Sequence, residues 1–425
     1  MNIDEVIQKY VTSARRTRLL ILTSLEWMLV AGGVMITSLT LPSIIVDLTG
    51  TAGNQDMMAS SVFAGMLLGA LFSGAISDRF GRKWTNLFLL LIAGLATGIT
   101  GTSLSMRMFS LGRFISGFGY GGLLPVVNAY LTEFSSIRIR GLYLALLESS
   151  WAIGSIVTGG FTMITLDILG WRWSYYFLAI FSIPLLIITF FLPESPKYEF
   201  MKKGKSALER ILGRNIDEEI EMHAMSKQPL LGLFRSGLAR RTIMIWTSWF
   251  AVSFVYYGIY TWAPKIFMSK GLTPVSSLWY TFFMLIMQIP GYMAAALLIE
   301  KIGRKPSLIF FFGGMAVSSI IIAFVSSSGL LLFASVLISL FVLGAWGMVY
   351  AYTPELYPTE MRALGNGTSG VMARAAGIVA PYFTSLIMGI TGSVLVVMVF
   401  MSSLSIFAAI IVSKFGIETK QTIIE

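Results

Sequence analysis

The chain is 425 residues long, with 56% hydrophobic residues, 12% charged residues and a mean hydropathy of +0.78. No soluble domain of this length is so apolar, and the absence of cysteine removes disulfides, thiolate metal sites and thiol catalysis. A net charge of +10 can mark a nucleic-acid partner, but here the basic residues fall in loops between long apolar runs, which points instead to anionic membrane lipid.

Runs long enough to cross a hydrocarbon core predict helices near 19–41, 57–77, 84–106, 108–131, 141–165 and 173–192. The first follows Arg15, Arg16 and Arg18 and lacks a small-residue cleavage site after it, so it reads as a retained helix rather than a signal peptide. Residues 193–241 then break the pattern with Pro193, Pro196, a Lys/Arg-rich stretch and the acidic run from Asp217 to Glu221. This reads as a linker with short surface helices, and its His223, the only histidine, as a solvated side chain away from membrane depth. A second set of runs follows near 242–264, 275–299, 307–326, 329–352, 363–390 and 393–414.

Most of the 31 Lys and Arg residues lie on one side of this array if both termini are cytoplasmic. Only Arg107, Arg172, Lys265 and Lys270 then fall outside, and Arg113 and Arg374 lie within spans. The expected location is the cell inner (plasma) membrane, multi-pass, with residues 193–241 inside.

The two sets of runs are copies. Gly74-x-x-x-Asp78-Arg79-x-Gly81-Arg82-Lys83 recurs 222 residues later as Ala296-x-x-x-Glu300-Lys301-x-Gly303-Arg304-Lys305. Tyr130, Glu133 and Arg140 recur at the same offset as Tyr352, Glu355 and Arg362. A parallel duplication of a six-helix membrane half is a transporter architecture, and the period is too long for a solenoid. The expected fold is therefore an all-α membrane protein, with twelve transmembrane helices in two pseudo-symmetric six-helix bundles, 1–192 and 242–425.

The loop after the second span resembles the signature of the major facilitator superfamily, and the likeness covers nearly the whole chain. Gly112-Arg113 followed by Gly117, Gly119, Gly121 and Gly122 is similar to the sugar-porter and organic-ion-transporter pattern. So are Glu133 with Arg140-Gly141, Gly170-Trp171-Arg172-Trp173 and Pro193-Glu194-Ser195-Pro196-Lys197. The stretch from Leu146 to Gly154, and Tyr256-Tyr257-Gly258, resemble the niacin, synaptic-vesicle-glycoprotein and organic-ion branch. Glu148 stands where sugar porters have a sugar-binding Gln, and Ala251 and Val252 where they have paired glutamines. Arg374 and the residues to Pro381 resemble organic-anion carriers, in which an Arg replaces the Asp of cation carriers. One departure is that Val30 and Gly33 hold the places of two Asp residues of niacin-type relatives; another is that the fifth span lacks the Gly-Pro pair of drug:proton exporters.

The resemblance implies a cytoplasmic gate made of Gly74, Asp78, Arg79, Arg82, Glu133 and Arg140 with Glu300, Arg304, Glu355 and Arg362. In it Asp78 meets the positive end of a helix of the opposite half, and Glu133, Arg140, Glu355 and Arg362 bridge the bundles when the inner side is closed.

Physical chemistry singles out four ionisable residues at membrane depth, Glu26, Arg113, Glu148 and Arg374, because such groups are costly and functional by default. Glu26 and Glu148 share a depth, and desolvation favours a neutral, proton-carrying carboxyl; with Arg113 they are the candidate proton-coupling residues. Arg374 has no acidic residue at its depth in its own half, so it faces a carboxylate across the cavity, binds backbone and water, or receives an anionic substrate through its planar fork. Arg374, Glu148, Trp151, Tyr256, Tyr257 and Tyr260 are the candidate substrate-binding residues, the aromatic ones as walls for a flat organic ion. Gly65, Gly69, Gly117 and Gly121 read as close-packing surfaces. No nucleophile–base pair or metal-ligand set is present, so neither an enzyme nor a cofactor is expected.

These readings converge on a monomeric carrier of a small organic anion, a monocarboxylate, moved with protons. The alternatives are a sugar or organic-cation:proton transporter and, in another class, a transport-inactive receptor or lipid-binding protein.

Overall fold

The computed structural model describes residues 3–51, 54–135, 140–216, 220, 229–235 and 237–420. His223 and the acidic residues of the linker run lie outside the described residues. The chain divides into two compact units, Met1–Ala224 and Met225–Glu425, a boundary that falls inside the expected linker.

The first unit holds α1 (Ile3–Tyr10), α2 (Ser13–Asp47), α3 (Gln55–Phe80), α4 (Arg82–Gly101), α5 (Met106–Phe134), α6 (Arg140–Leu169), α7 (Arg172–Phe190), α8 (Pro196–Lys203) and α9 (Lys205–Leu212). The second opens with a 3-10 turn (Leu230–Phe234). It continues with α10 (Leu238–Tyr260), α11 (Ala263–Ser269), α12 (Pro274–Ile286), α13 (Gln288–Lys301), α14 (Arg304–Phe324), α15 (Ser328–Glu355), α16 (Thr359–Thr391) and α17 (Val394–Phe415). Among the described residues 12 spans are long and apolar enough to cross a membrane, with α12 and α13 forming one of them. The expected fold class is thus the observed one.

Two boundaries differ from the sequence reading. The span expected to run to 106 ends at Gly101, because Ser105 caps a new helix by accepting the Met108 N–H at 3.2 Å. The span expected over 275–299 is interrupted at Met287. Pro290 has no N–H to offer the carbonyl of Ile286, so the helical ladder loses a rung there.

The duplication reaches down to the caps. Ser327, 222 residues after Ser105, caps α15 by accepting the Leu330 N–H at 3.4 Å. The two units close their cores differently. In the first, α3 and α5 touch backbone to backbone: a Cβ on Gly65 would lie 1.9 Å from the Phe114 carbonyl oxygen, and one on Gly121 2.1 Å from that of Met66. In the second, aromatic rings cover two of the glycines, Phe311 over Gly344 and Phe341 over Gly314, and the backbone approach is looser, a Cβ on Gly291 lying 2.7 Å from the Leu340 carbonyl oxygen.

Candidate functional site

At one end of the first unit a single glycine joins α3 to α4. Gly81 has φ +97°, and a Cβ there would come within 2.3 Å of the Glu194 carboxylate. Arg82, the first residue of α4, donates from Nη1 to Asp78 Oδ1 at 3.0 Å and from Nε to Glu133 Oε1 at 3.1 Å. The Ser195 hydroxyl bonds the other Glu133 oxygen. Glu194 Oε1 accepts the N–H of Lys83 at 3.0 Å and that of Ser195 at 2.8 Å, so it caps the start of α4. Tyr130 ties the same loop down by donating to the Pro193 carbonyl at 2.6 Å.

The second unit builds the same device. Gly303 has φ +95°, and its Cβ would meet the Glu418 carboxylate at 2.6 Å. Arg304 grips Glu355 with Nε and Nη2, both at 2.8 Å. Thr419 Oγ1 bonds Glu355 Oε2 at 2.5 Å, and the Tyr352 hydroxyl donates to the Ile417 carbonyl. Glu418 accepts the N–H groups of Arg304 at 2.9 Å, Lys305 at 3.1 Å, Thr419 at 3.0 Å and Lys420 at 2.9 Å.

The two capping carboxyls differ electrostatically. Burial dominates at Glu194 and holds its pKa above the ordinary carboxylate value against backbone donors. Burial also acts upward on Glu418, but its backbone donors together outweigh it and the carboxyl titrates below the ordinary value.

The resemblance implies that Glu133 and Glu355 bridge the two halves when the inner side is closed. The partners found here, Arg82 and Ser195 for one and Arg304 and Thr419 for the other, lie within each carboxylate's own unit. Asp78 likewise meets Arg82 four residues on. Gly74 is exposed with open space where a Cβ would go, and Arg79 lies over the Phe80 ring at 5.3 Å. Arg140 opens α6, Glu300 is exposed in the last turn of α13, and Arg362 is half-buried in the first turn of α16.

Deeper in the first unit, Glu26 on α2 is fully buried. Asn86 Nδ2 of α4 lies 3.2 and 3.0 Å from its two oxygens, and Thr189 of α7 donates to Oε1 at 2.8 Å. Three helices therefore meet on one carboxyl through neutral donors, and Arg113 is not among its partners. Arg113 on α5 is also fully buried, and none of its three guanidinium nitrogens has a hydrogen-bond partner among the described residues. Its guanidinium carbon stands 5.9 Å from the Tyr175 ring centre. On α6, Glu148 is half-buried and Trp151, three residues on, is buried.

The second unit's interior is aromatic. Trp346 of α15 stands 5.2 Å from Tyr256, 5.8 Å from Tyr257 and 5.8 Å from Trp249, all of α10. Gln288, at the break between α12 and α13, donates to the Tyr256 hydroxyl at 3.2 Å. Tyr260 is held by Ser339 and the Met284 carbonyl. Arg374 on α16 is half-buried; Nη1 donates to the carbonyl of Gly370 one turn earlier at 2.9 Å, and buried Nε has no hydrogen-bond partner among the described residues.

Asn86, Thr189, Trp346, Glu418 and Thr419 escaped the sequence reading, and Glu194 and Ser195 stand out in it only as part of a motif, without their role or their pairing with Glu418 and Thr419. A signal existed only for the pairs: Pro193-Glu194-Ser195 recurs as Ile417-Glu418-Thr419, but at 224 rather than 222 residues, which a fixed offset misses.

Residues 26–425 match the family model described as sugar (and other) transporter. The niacin transporter NiaP of Acinetobacter baylyi is 33% identical over 406 residues, 93% of this chain and 92% of that protein. Synaptic vesicle 2-related protein of Bos taurus is 28% identical over 440 residues, 95% of this chain and 78% of that one. Among solved structures, the partially occluded inward-open xylose transporter XylE from E. coli superposes with a TM-score of 0.77 at 18% identity, over 97% of this chain and 100% of that chain. The family model, the Acinetobacter baylyi protein and the solved structure are all named as transporters rather than enzymes, and the duplicated twelve-span fold and duplicated rim agree with them: the chain belongs to the sugar (and other) transporter family of the major facilitator superfamily.

Proposed function

We propose that this transporter moves a small organic anion, a pyridine monocarboxylate of the niacin kind, together with protons by alternating access. It works as a monomer in the cell inner membrane with both termini in the cytoplasm. The observation that carries the anion reading is Arg374, whose guanidinium spends one N–H on its own helix and, among the described residues, meets no carboxylate of its unit. A mid-membrane cation so placed is balanced by an incoming carboxylate, and the buried ring cluster of Tyr256, Tyr257 and Trp346 supplies aromatic surroundings suited to a flat heterocycle. The name of the Acinetobacter baylyi relative agrees with that chemistry.

Glu148 is the preferred proton carrier, because the stretch around it resembles the niacin-type branch more closely than α2 does; Glu26 is the second candidate, because a buried carboxyl surrounded by neutral donors binds and releases a proton without breaking an ion pair. The rim networks act as latches, each fixing the helix ends of its half and opening in one direction of the cycle. Purified protein in liposomes with an acidic exterior should accumulate labelled nicotinate, and an excess of unlabelled nicotinate, but not of xylose or a quaternary amine, should compete. Accumulation that is indifferent to the pH gradient, or competition by xylose alone, overturns the reading. Cysteine placed at Lys203 of this Cys-free chain should resist an impermeant label in intact cells; labelling reverses the orientation.

A further inference from the structure

Beside the rim of the first unit, on its outer surface, α4 and α7 leave a groove of about 640 Å³ walled by Trp84, Phe88, Leu91, Ile187, Phe190 and Phe191. Five of these are about half exposed and Phe191 is 79% exposed. In water such a surface would be a liability; in a bilayer it is a place for acyl chains. What separates it from ordinary lipid-facing surface is the cation at its mouth. Lys83 Nζ lies 5.2 Å from the Trp84 ring centre and 5.4 Å from that of Phe190, and these two rings stand edge to face at 6.2 Å.

Among the described residues no carboxylate pairs with that ammonium. Asp78, the nearest acid in sequence, pairs with Arg82, and Glu194 uses Oε1 on the backbone N–H of Lys83, not on its side chain. Arg79, on the preceding helix end, adds a second exposed positive charge. The arrangement therefore has an apolar slot for a tail, aromatic edges at interfacial depth, and an unneutralised lysine where a headgroup would lie.

We infer that this groove is a binding site for an anionic phospholipid, with Lys83 on the phosphate and the α4–α7 aromatic residues on one acyl chain. Because the Lys83 N–H is also the group that Glu194 caps, the lipid would be held by a residue of the rim itself. The inference does not depend on the identity of the transported substrate.

The second unit lacks the site. At the 222-residue offset Trp84 becomes Pro306 and Leu91 becomes Gly313, and at the 224-residue offset Phe190 becomes Lys414. The expected occupancy is one lipid per chain.

Native mass spectrometry of the detergent-solubilised full chain, titrated with phosphatidylglycerol or phosphatidylcholine of identical chains, tests this. Phosphatidylglycerol should bind about fivefold tighter, the effect of one lysine near an anionic headgroup. The preference should vanish in Lys83→Gln and persist in Lys83→Arg and in Lys202→Gln, a change of an exposed lysine on α8. Trp84→Ala should weaken both lipids alike by removing a wall of the groove. Equal affinity for the two lipids in the unmodified protein, a preference that survives Lys83→Gln, or one lost equally in Lys202→Gln overturns the proposal. So does unchanged affinity in Trp84→Ala.

Discussion

Arg82, Glu133, Ser195 and Glu194 in the first half, and Arg304, Glu355, Thr419 and Glu418 in the second, are one device built twice. A few turns inward the 222-residue offset pairs unlike residues: Asn86 with Leu308, Arg113 with Ser335, Glu148 with Gly370 and Trp346 with Leu124. The first half keeps a buried carboxyl with its hydrogen-bond partners and a buried arginine with none among the described residues; the second keeps rings and a single arginine. Both rims face the same task of holding a helix turn around a positive-φ glycine, so the same chemistry serves twice. The interiors have no such common task, and under the proposed function they divide it, protons in the first half and substrate in the second.

The sharpest test of that division is Arg374→Ala. Removing a buried charge that pairs with a carboxylate costs about 2–5 kcal/mol, so nicotinate binding measured by calorimetry should weaken about 30-fold or more. Arg374→Lys keeps the charge without the planar fork and should fall between. If affinity is unchanged in Arg374→Ala, the second half does not hold the anion and the comparison of interiors loses its meaning.

The complementary test lies in the first half. Glu148→Gln and Glu26→Gln should leave nicotinate exchange while reducing accumulation driven by a proton gradient, with Glu148→Gln the larger effect. Accumulation retained in both variants means that protons do not pass through either carboxyl. Glu26→Gln also loses acceptor capacity toward Asn86 and Thr189, so its melting temperature should fall as well.

The rims predict equality rather than contrast. Gly81→Ala and Gly303→Ala each force a side chain into a φ near +95° and against a carboxylate, so each should destabilise by about 1–3 kcal/mol and slow transport to a similar degree. A large effect in one half alone would show that only that latch bears on the cycle.

How far the sequence reaches is plain from these same residues. Twelve spans and their duplication could be read because membrane helices must be long and apolar and because Arg82, Glu133 and Arg140 keep a 222-residue register with Arg304, Glu355 and Arg362. Glu26, Arg113, Glu148 and Arg374 stood out because charge at membrane depth is rare. Trp346 did not, since one aromatic residue among many in an apolar helix has no distinguishing pattern; only packing brings it onto Tyr256 and Tyr257. Asn86 and Thr189 are uncharged and lie on helices far apart in sequence, so their meeting at Glu26 exists only in three dimensions. The break at Met287 was written in Pro290, but hydropathy averages across it.

The smallest expected difference concerns the two capping carboxyls, and it has opposite sign in the two halves. Glu194 titrates above its unfolded value, so the native state binds the extra proton more readily, and stability declines as pH rises from the unfolded pKa through the folded one. Glu418 titrates below its unfolded value, so its contribution is present above the unfolded pKa and is lost as pH falls through the folded one. Substituting Gln retains an acceptor for a backbone N–H at either site while removing the titration. Thermal unfolding across mildly acidic to neutral pH should therefore lose part of its decline toward high pH in Glu194→Gln and part of its decline toward low pH in Glu418→Gln. Both groups are partly exposed, so solvent screening keeps each change small, and slopes rather than single melting temperatures carry the comparison. Slopes that change in the same direction in both variants would mean that the rims, alike in geometry, are also alike in electrostatics.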